Sequence, residues 1–357
     1  MEIRKVVKKK EREGNDFHPD KYREMNCEDR KNHCSPSSKP AFWNNTKRYY
    51  DLKSFWNNRF DCRVYKLPID AGFTCPNRDG AVSTGGCIYC DGRGSRLRRA
   101  GSLPSVSEQI RQGQAYYSKH RQAKQFIAYF QTFTNTYGPV DALNHLYDEA
   151  LACEDVIGLS VGTRPDCVSD DVIRVLESYT DRFHVWLELG LQSIHDTTLR
   201  FINRGHSADV FFDAVRRASG KGVHICVHII VGLPGETHND ILETASALAA
   251  LPIDGIKIHA LLALKGTKMG HLFEEGNITL MSREDYVLTV CDILEILPPT
   301  MVIQRLTADG YRDIFLGPSW AVNKMAVLNA IDGELEKRDS YQGMHYAQHE
   351  GRDREGT

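Results

Sequence analysis

Three cysteines fall in one short stretch, Cys75, Cys87 and Cys90, spaced Cys-x11-Cys-x2-Cys. Thiolates are soft metal ligands. A structural zinc site closes its tetrahedron with four protein ligands, and an electron-transfer iron–sulfur cluster is normally held by four thiolates. Three thiolates in a glycine-rich loop suggest a metal centre with one coordination position open to chemistry. Two other readings stay open. Cys87-x-x-Cys90 has the spacing of half a zinc knuckle, but no adjacent Cys/His pair of suitable spacing completes it. It also has the spacing of a redox dithiol, which normally sits at a helix start and has no use for Cys75. His33, His120, His145, Cys27 and Cys34 are the distant candidates for a fourth ligand.

A second group of chemistry-bearing residues recurs at intervals after apolar runs. It comprises Tyr129-Phe-Gln131, Thr134-Asn-Thr-Tyr137, Val161-Gly-Thr-Arg164-Pro-Asp166, Glu188-Leu-Gly-Leu-Gln192, Asn203-Arg204-Gly-His206 and Gly232-Leu-Pro-Gly235-Glu236. Glu188 and Gln192 lie inside an apolar strand, which is costly unless they are paired or face a polar cavity. A spacing of four on a strand puts both on one face. There they can hold a ribose or an amine. Glycines near 232 and 235 let backbone approach a flat ligand. Each motif alone also has a purely structural reading: Glu188 pairing with Arg164 or Lys257 inside a barrel, and Gly232 to Gly235 forming a turn. Their joint recurrence at successive strand ends favours one shared site.

The elements that position these residues read as alternating strands and helices. Strands are expected at 64–69, 125–131, 156–161, 184–191, 223–231 and 255–262, short and apolar as buried parallel strands are. Helices are expected at 106–119 (capped by Ser105), 139–151 (opening on Pro139), 170–178, 196–203, 207–220 and 239–251. Such a series makes a parallel sheet, open or barrel-like, with its site at the C-terminal strand ends. Beyond residue 280 a helix at 282–297, a strand at 301–306 and a long helix at 319–337 follow. The expected organisation is a flexible basic arm (1–45), with an aromatic-rich stretch at 42–60 packing a short helix onto the core (46–280). A small C-terminal α/β extension (281–340) and a polar tail (341–357) complete it.

The 357 residues carry a net charge of -2, so any contact with nucleic acid must come from a local patch. Candidates are Arg93, Arg96, Arg98 and Arg99 with Lys119, Arg121 and Lys124 beside the mouth of the site, and Lys8 to Lys10 in the arm. The alternative is an ordinary solvated helix face. No apolar run reaches the length of a membrane span and no apolar signal core opens the chain, so no membrane partner is expected. The ten cysteines then read as thiols or ligands in a reducing cytoplasm.

Taken together, these motifs resemble the radical S-adenosylmethionine (radical SAM) superfamily. The expanded cysteine spacing resembles its branch akin to the catalytic subunit of Elongator, and within it the YhcC/YtqA-type family. The likeness runs over roughly residues 45 to 345. It includes Gly85-Gly-Cys87-Ile-Tyr-Cys90 and the late Leu328-Asn-Ala-Ile-Asp332. The resemblance implies a partial (β/α)6 barrel and a [4Fe-4S] cluster on Cys75, Cys87 and Cys90. The fourth iron would be chelated by S-adenosylmethionine (SAM). Reductive cleavage would then give methionine and a 5′-deoxyadenosyl radical that abstracts hydrogen from the substrate. It further implies Tyr89 near the adenine, Gln131, Glu188, Gln192 and Arg204 at SAM-contacting strand ends, and the backbone from Ile230 to Gly232 along the adenine. The implied electron donor is a reductant such as flavodoxin or ferredoxin. The implied substrate is tRNA, whose wobble-uridine side chain would pass from 5-carboxymethylaminomethyl to 5-aminomethyl. A protein or small-molecule substrate, and a non-catalytic metal-bound RNA-binding module, are the competing readings.

Overall fold

The computed structural model describes residues 43, 46–60, 62–92, 102–308 and 312–346. Seven parallel strands form one sheet in the order of the chain: β1 (Val64–Ile69), β2 (Gln125–Phe130), β3 (Val156–Thr163), β4 (His184–Gln192), β5 (His224–Val231), β6 (Gly255–Ala260) and β8 (Val302–Arg305). The six expected strands are present within a few residues. The strand expected in the C-terminal extension joins the same sheet, paired to β6. The sheet curls far enough that Lys66 on the first strand donates to Gln304 on the last, 2.7 Å away. This is the expected partial barrel.

Each crossover helix starts where a side chain can satisfy free backbone N–H groups. Ser105 caps α2 (Val106–Arg121) by accepting from Glu108. Ser169 caps α4 (Asp170–Glu177) by accepting from Val172. Thr237 and Asp240 form a reciprocal capping box at the start of α7 (His238–Ala249). Pro139 stands at the cap of α3 (Val140–Leu151), one residue earlier than its expected first-turn position. Helices α5 (Asp196–Phe201) and α6 (Ala208–Ala218) complete the layer.

Alternation along the strands sorts the side chains into two cores. One set packs on the helices: Tyr65 stacks on Tyr117 of α2, and Phe130 meets Tyr147 of α3 edge-on. The other set faces the lumen. At the N-terminal end of the sheet Val64, Ile127, Trp186, Cys226 and Val302 cluster with Trp43, Tyr50 and Trp56. These last residues come from the segment around α1 (Leu52–Arg59), the short aromatic helix expected from the sequence. Tyr50 also accepts from the Ile303 N–H on the exposed edge of β8. The aromatic segment therefore plugs the floor of the lumen and covers a sheet edge.

Three expectations near the ends of the core need correcting. The bound of the arm at 45 overlaps the aromatic stretch expected to pack from 42, and Trp43 in the overlap is buried as that stretch requires, donating to the Pro299 carbonyl at 3.0 Å. The start of the expected polar tail is packed, because the Gln342 amide bonds the carbonyls of Pro298 and Met301 and the N–H of Tyr50. The long helix expected at 319–337 is broken. A 3-10 turn (Ser319–Val322) precedes α10 (Lys324–Lys337), because Asn323 leaves helical geometry to cap α10 through the Ala326 N–H. Missed entirely were α8 (Lys268–Glu274) and the two-stranded pairing of β7 (Ala263–Leu264) with β9 (Phe315–Gly317), runs too short to carry a period. Helix α9 (Arg283–Ile296) packs between α7 and α10. Among the described residues no helix is long and apolar enough to cross a membrane.

Candidate active site

The cysteine loop leaves the C-terminal end of β1 and is held by its own backbone and by the loop after α5. Tight turns close it at both ends: the Arg78 N–H donates to the Cys75 carbonyl at 2.8 Å, and the Cys90 N–H to the Cys87 carbonyl at 2.9 Å. Asn77 donates to the Asn203 carbonyl at 2.6 Å, and Asn203 returns a bond to the Gly86 carbonyl at 2.8 Å. Gly205 sits against this junction with φ +76°, where a Cβ would lie 2.6 Å from Asn77 Oδ1. Only glycine fits that contact without displacing the clamp.

Polar donors converge on the sulfurs. Asn77 Nδ2 and Arg204 Nη1 each stand 3.5 Å from Cys87 Sγ, and Arg78 Nη1 stands 3.7 Å from Cys90 Sγ. Burial opposes ionisation of the Cys87 thiol, but the Arg204 guanidinium outweighs it and brings the pKa below the ordinary thiol value. Cys90 is displaced the other way, raised by burial. Arg204 is itself buried, and its Nε has no protein partner.

The residues expected at the cofactor fall into two levels. At the upper level, Gly190 is the point of convergence. A Cβ there would meet both Arg204 Nη2 and Gln192 Nε2 at 2.9 Å, so the two side chains crowd one spot beside Cys87. A β-bulge between Gly190 and Gln192, with Gln192 at φ +83°, produces this arrangement in place of plain four-residue strand spacing. Tyr89 is half-buried, and burial with the neighbouring Cys87 thiol pushes its hydroxyl well above the ordinary phenol range. Gln131, half-buried, follows β2, and Gly232 at φ +90° follows β5.

Glu188 lies one level below. Its carboxyl is fully buried and both oxygens are taken: Oε1 by Lys66 Nζ at 2.6 Å and by Ser160, Oε2 by His228 Nε2 at 2.7 Å and by Lys257. Of the two structural partners read from the sequence, Lys257 is correct. Arg164 instead makes a bidentate pair with Asp166 at 2.9 and 2.8 Å. Lys66 was missed, although a lysine inside the apolar run Val-Tyr-Lys-Leu-Pro-Ile carries the same signal as Lys257. Lys66 also reaches Ser160 at 3.1 Å, and Lys257 reaches the Tyr129 hydroxyl at 2.9 Å. Burial lowers the Lys66 pKa to about 8 although Glu188 opposes the shift, and burial with Lys257 lowers His228 to about 4.

Two other motifs turn out to be braces. Asn135 donates to the Gly162 carbonyl, and Thr136 bonds Thr163 and the Cys167 carbonyl, tying β2 to β3. Glu236 accepts from Ser193 and ties the turn after β5 to the one after β4. The expected basic patch divides. Lys119, Arg121 and Lys124 are exposed, but they lie at the end of α2 where the Lys124 N–H bonds Arg63 before β1. That is the floor end of the sheet, because a crossover helix returns antiparallel to its strands. Arg93, Arg96, Arg98 and Arg99, with the arm lysines, Cys27, Cys34 and His33, lie outside the described residues.

The donor set fits an iron–sulfur cluster better than a single ion. A tetrahedral zinc–thiolate site brings its sulfurs to about 3.8 Å from one another. Among the described residues, the one trio of metal-type ligand atoms within 4.8 Å of one another is His195, Asp240 and Glu243, so the three loop sulfurs do not all lie within that distance of one another. The N–H donors directed at Cys87 and Cys90 match the hydrogen bonding that tunes clusters.

Comparison with known proteins agrees. Residues 77–248 match the family described as the Radical SAM superfamily, and residues 253–337 the Radical SAM C-terminal domain. YtqA of Bacillus subtilis is 44% identical over 306 residues, spanning 85% of this chain and 94% of that protein. YhcC of Escherichia coli is 38% identical over 280 residues, 78% and 89% of the two chains. A more distant relative, the tRNA uridine(34) acetyltransferase of Dehalococcoides mccartyi, is 27% identical over 157 residues, 43% of this chain and 33% of that one. Among solved structures, the archaeal Elp3 of Methanocaldococcus infernus shares the fold at a TM-score of 0.57 and 16% identity, covering 78% of this chain and 64% of that one. The chain is therefore a radical SAM enzyme, a member of the Elongator-like YhcC/YtqA-type family, whose cofactors are a [4Fe-4S] cluster and SAM.

Proposed function

We propose that the protein remodels the wobble-uridine side chain of tRNA, from 5-carboxymethylaminomethyl to 5-aminomethyl. In this reading Cys75, Cys87 and Cys90 hold the cluster. Tyr89, Gln131, Gln192, Arg204 and the Gly232 backbone surround SAM. Glu188, first expected at the cofactor, belongs to the substrate chamber below it. Bound there, the cluster and SAM supply a carbon radical able to take hydrogen from an unactivated carbon. The chain's own part is to fix the Cys87 sulfur through Asn77 and Arg204, to crowd Gln192 and Arg204 over Gly190, and to keep water out of the floor with Trp186 and its aromatic neighbours.

The lumen carries the reading. It is floored by aromatic side chains and lined above them by Lys66, Tyr129, Ser160, Glu188, His228 and Lys257. Charged groups above a closed aromatic floor suit a narrow polar arm on a larger molecule that stays outside, as a modified base does on folded RNA. The named activity of the uridine(34) relative supports RNA as that molecule. A flavodoxin- or ferredoxin-type protein would deliver the electron, and a tRNA substrate would set the enzyme in the cytoplasm.

Nucleoside analysis of tRNA from a deletion strain tests the substrate. The carboxymethylaminomethyl form should accumulate, and wild-type protein but not Cys87→Ala should reverse it. An unchanged profile overturns the tRNA reading. If anaerobically reconstituted protein given SAM and dithionite still forms 5′-deoxyadenosine, a protein or small-molecule substrate is left.

A further inference from the structure

The polar layer of the lumen is unbalanced. Two ammonium groups, Lys66 and Lys257, share one carboxylate, Glu188. The other groups that bond them there, Ser160, Gln304 and Tyr129, are neutral. The two histidines that face the layer, His228 and His259, are held neutral, displaced downward chiefly by burial. Buried charges are tolerated when they are paired, because a buried charge left without a counter-charge is strongly destabilising. Arg305 of β8, in register with Lys257, adds its field to both histidines, so the layer is cationic around Glu188, the one carboxylate that bonds its lysines among the described residues.

Hydrogen bonding locates the surplus. An ammonium has three N–H donors. Lys66 spends all three on Glu188, Ser160 and Gln304. Lys257 spends two, on Glu188 and Tyr129, and keeps one. Two residues further along β6, on the same face, His259 has a buried Nε2 with no partner. The ring of His259 stands 5.3 Å from that of His228 and is nearer the cofactor end of the strand. The side chain of Lys257 is 6% exposed and that of His228 18%, so the layer is nearly but not wholly closed.

We propose that Lys257 and His259 form a subsite that receives a carboxylate of the substrate, with Lys66 and Glu188 fixing the Lys257 ammonium from below. The anion offsets positive charge in the layer and takes up the unspent Lys257 donor and, with the His259 proton on Nε2, that of His259. This inference rests on the proposed function for the identity of the carboxylate, which there is the glycine end of the carboxymethylaminomethyl arm. The subsite would thus select the substrate over the aminomethyl product, which lacks that charge.

The test uses the reconstituted holoenzyme with SAM and two acid–amide pairs. One pair is the nucleoside 5-carboxymethylaminomethyluridine and its carboxamide. The other, free of uridine, is N-benzylglycine and its amide. Titration calorimetry should show each acid binding at least about tenfold tighter than its amide. Lys257→Met should bring the acid-to-amide ratio down to about twofold or less, and circular dichroism should show the variant folded. A wild-type enzyme that favours neither acid, or binds neither, overturns the subsite without any variant. So does a preference that survives in both Lys257→Met and His259→Phe, whatever tRNA the enzyme converts. If only N-benzylglycine shows the lysine-dependent preference, the subsite stands and the uridine reading falls.

Discussion

Removing Glu188, the one carboxylate bonded to the lumen lysines among the described residues, should cost more than removing one of those two lysines. Glu188 is fully buried and accepts from Lys66, Lys257, His228 and Ser160. Glu188→Gln keeps the shape but leaves two ammoniums facing each other without a counter-charge. Both bond the same carboxylate, so they stand within about 7 Å, and at an effective dielectric of about 20 their exposed repulsion is about 2 kcal/mol. Adding the lost charge-assisted bonds gives an expected destabilisation of about 3–5 kcal/mol. Lys257→Met, by contrast, leaves Glu188 with Lys66 in one-to-one balance. It loses the bonds to Glu188 and Tyr129 but relieves the lysine–lysine repulsion of about 2 kcal/mol, for a smaller net loss of about 1–2 kcal/mol. Anaerobic urea denaturation of the cluster-free protein, read by tryptophan fluorescence and circular dichroism, gives both values by linear extrapolation. Equal losses for the two variants would refute the charge count. A Glu188→Gln change of under about 1 kcal/mol would show that water screens the lumen.

Four further outcomes follow from the same geometry. Burial holds His184 at about 2 against an ordinary 6.5, so below pH 6.5 the unfolded chain takes a proton that the fold refuses. Stability should fall as pH drops, by about 1.4 kcal/mol per pH unit from this residue, and His184→Phe should flatten that limb in urea titrations at successive pH values. Trp186→Ala should cost about 3–5 kcal/mol, because the ring is fully enclosed by Phe55, His184 and His224 on the floor; a small shift in denaturation midpoint would mean the plug repacks. Alanine at Cys75, Cys87 or Cys90 should abolish cluster absorbance and iron content with secondary structure kept, whereas Cys153→Ser, half-buried beside Glu149, should leave iron content at the wild-type level. Arg204→Met removes a charge and an N–H donor from the Cys87 sulfur, so the cluster potential should move negative in an electron paramagnetic resonance titration; an unmoved potential would separate Arg204 from the cluster.

Much of the site was legible because its residues are anomalies in local sequence. Three cysteines near glycines, an acid inside an apolar strand, and polar residues after each strand violate burial preferences, and violations of that kind mark function. The strands were legible for the same local reason, as short apolar runs between capped helices. What escaped was short or shared. Two- and three-residue strands such as β7 and β9 have no period to read. The Asn323 break looks helical until its side chain is seen capping the next turn. Asn135 and Thr136, polar and beside the cysteine loop, read as site residues but serve as braces between strands.

By itself the sequence determined the order of strands and helices, the gathering of three cysteines in one loop and the set of polar residues at the open end of the sheet. Those follow from periodicity, capping and residue chemistry, which act over a few residues. Only the tertiary structure decided which of those residues meet. Curling of the sheet brought Lys66 of the first strand to Gln304 of the last, and a bulge after Gly190 set Gln192 beside Arg204. The antiparallel return of α2 carried Lys119, Arg121 and Lys124 away from the mouth. Glu188 and Gln192, four residues apart, were separated into a buried charged layer and the rim beside Arg204 and Cys87, because register and curvature belong to the whole sheet and no single strand encodes them.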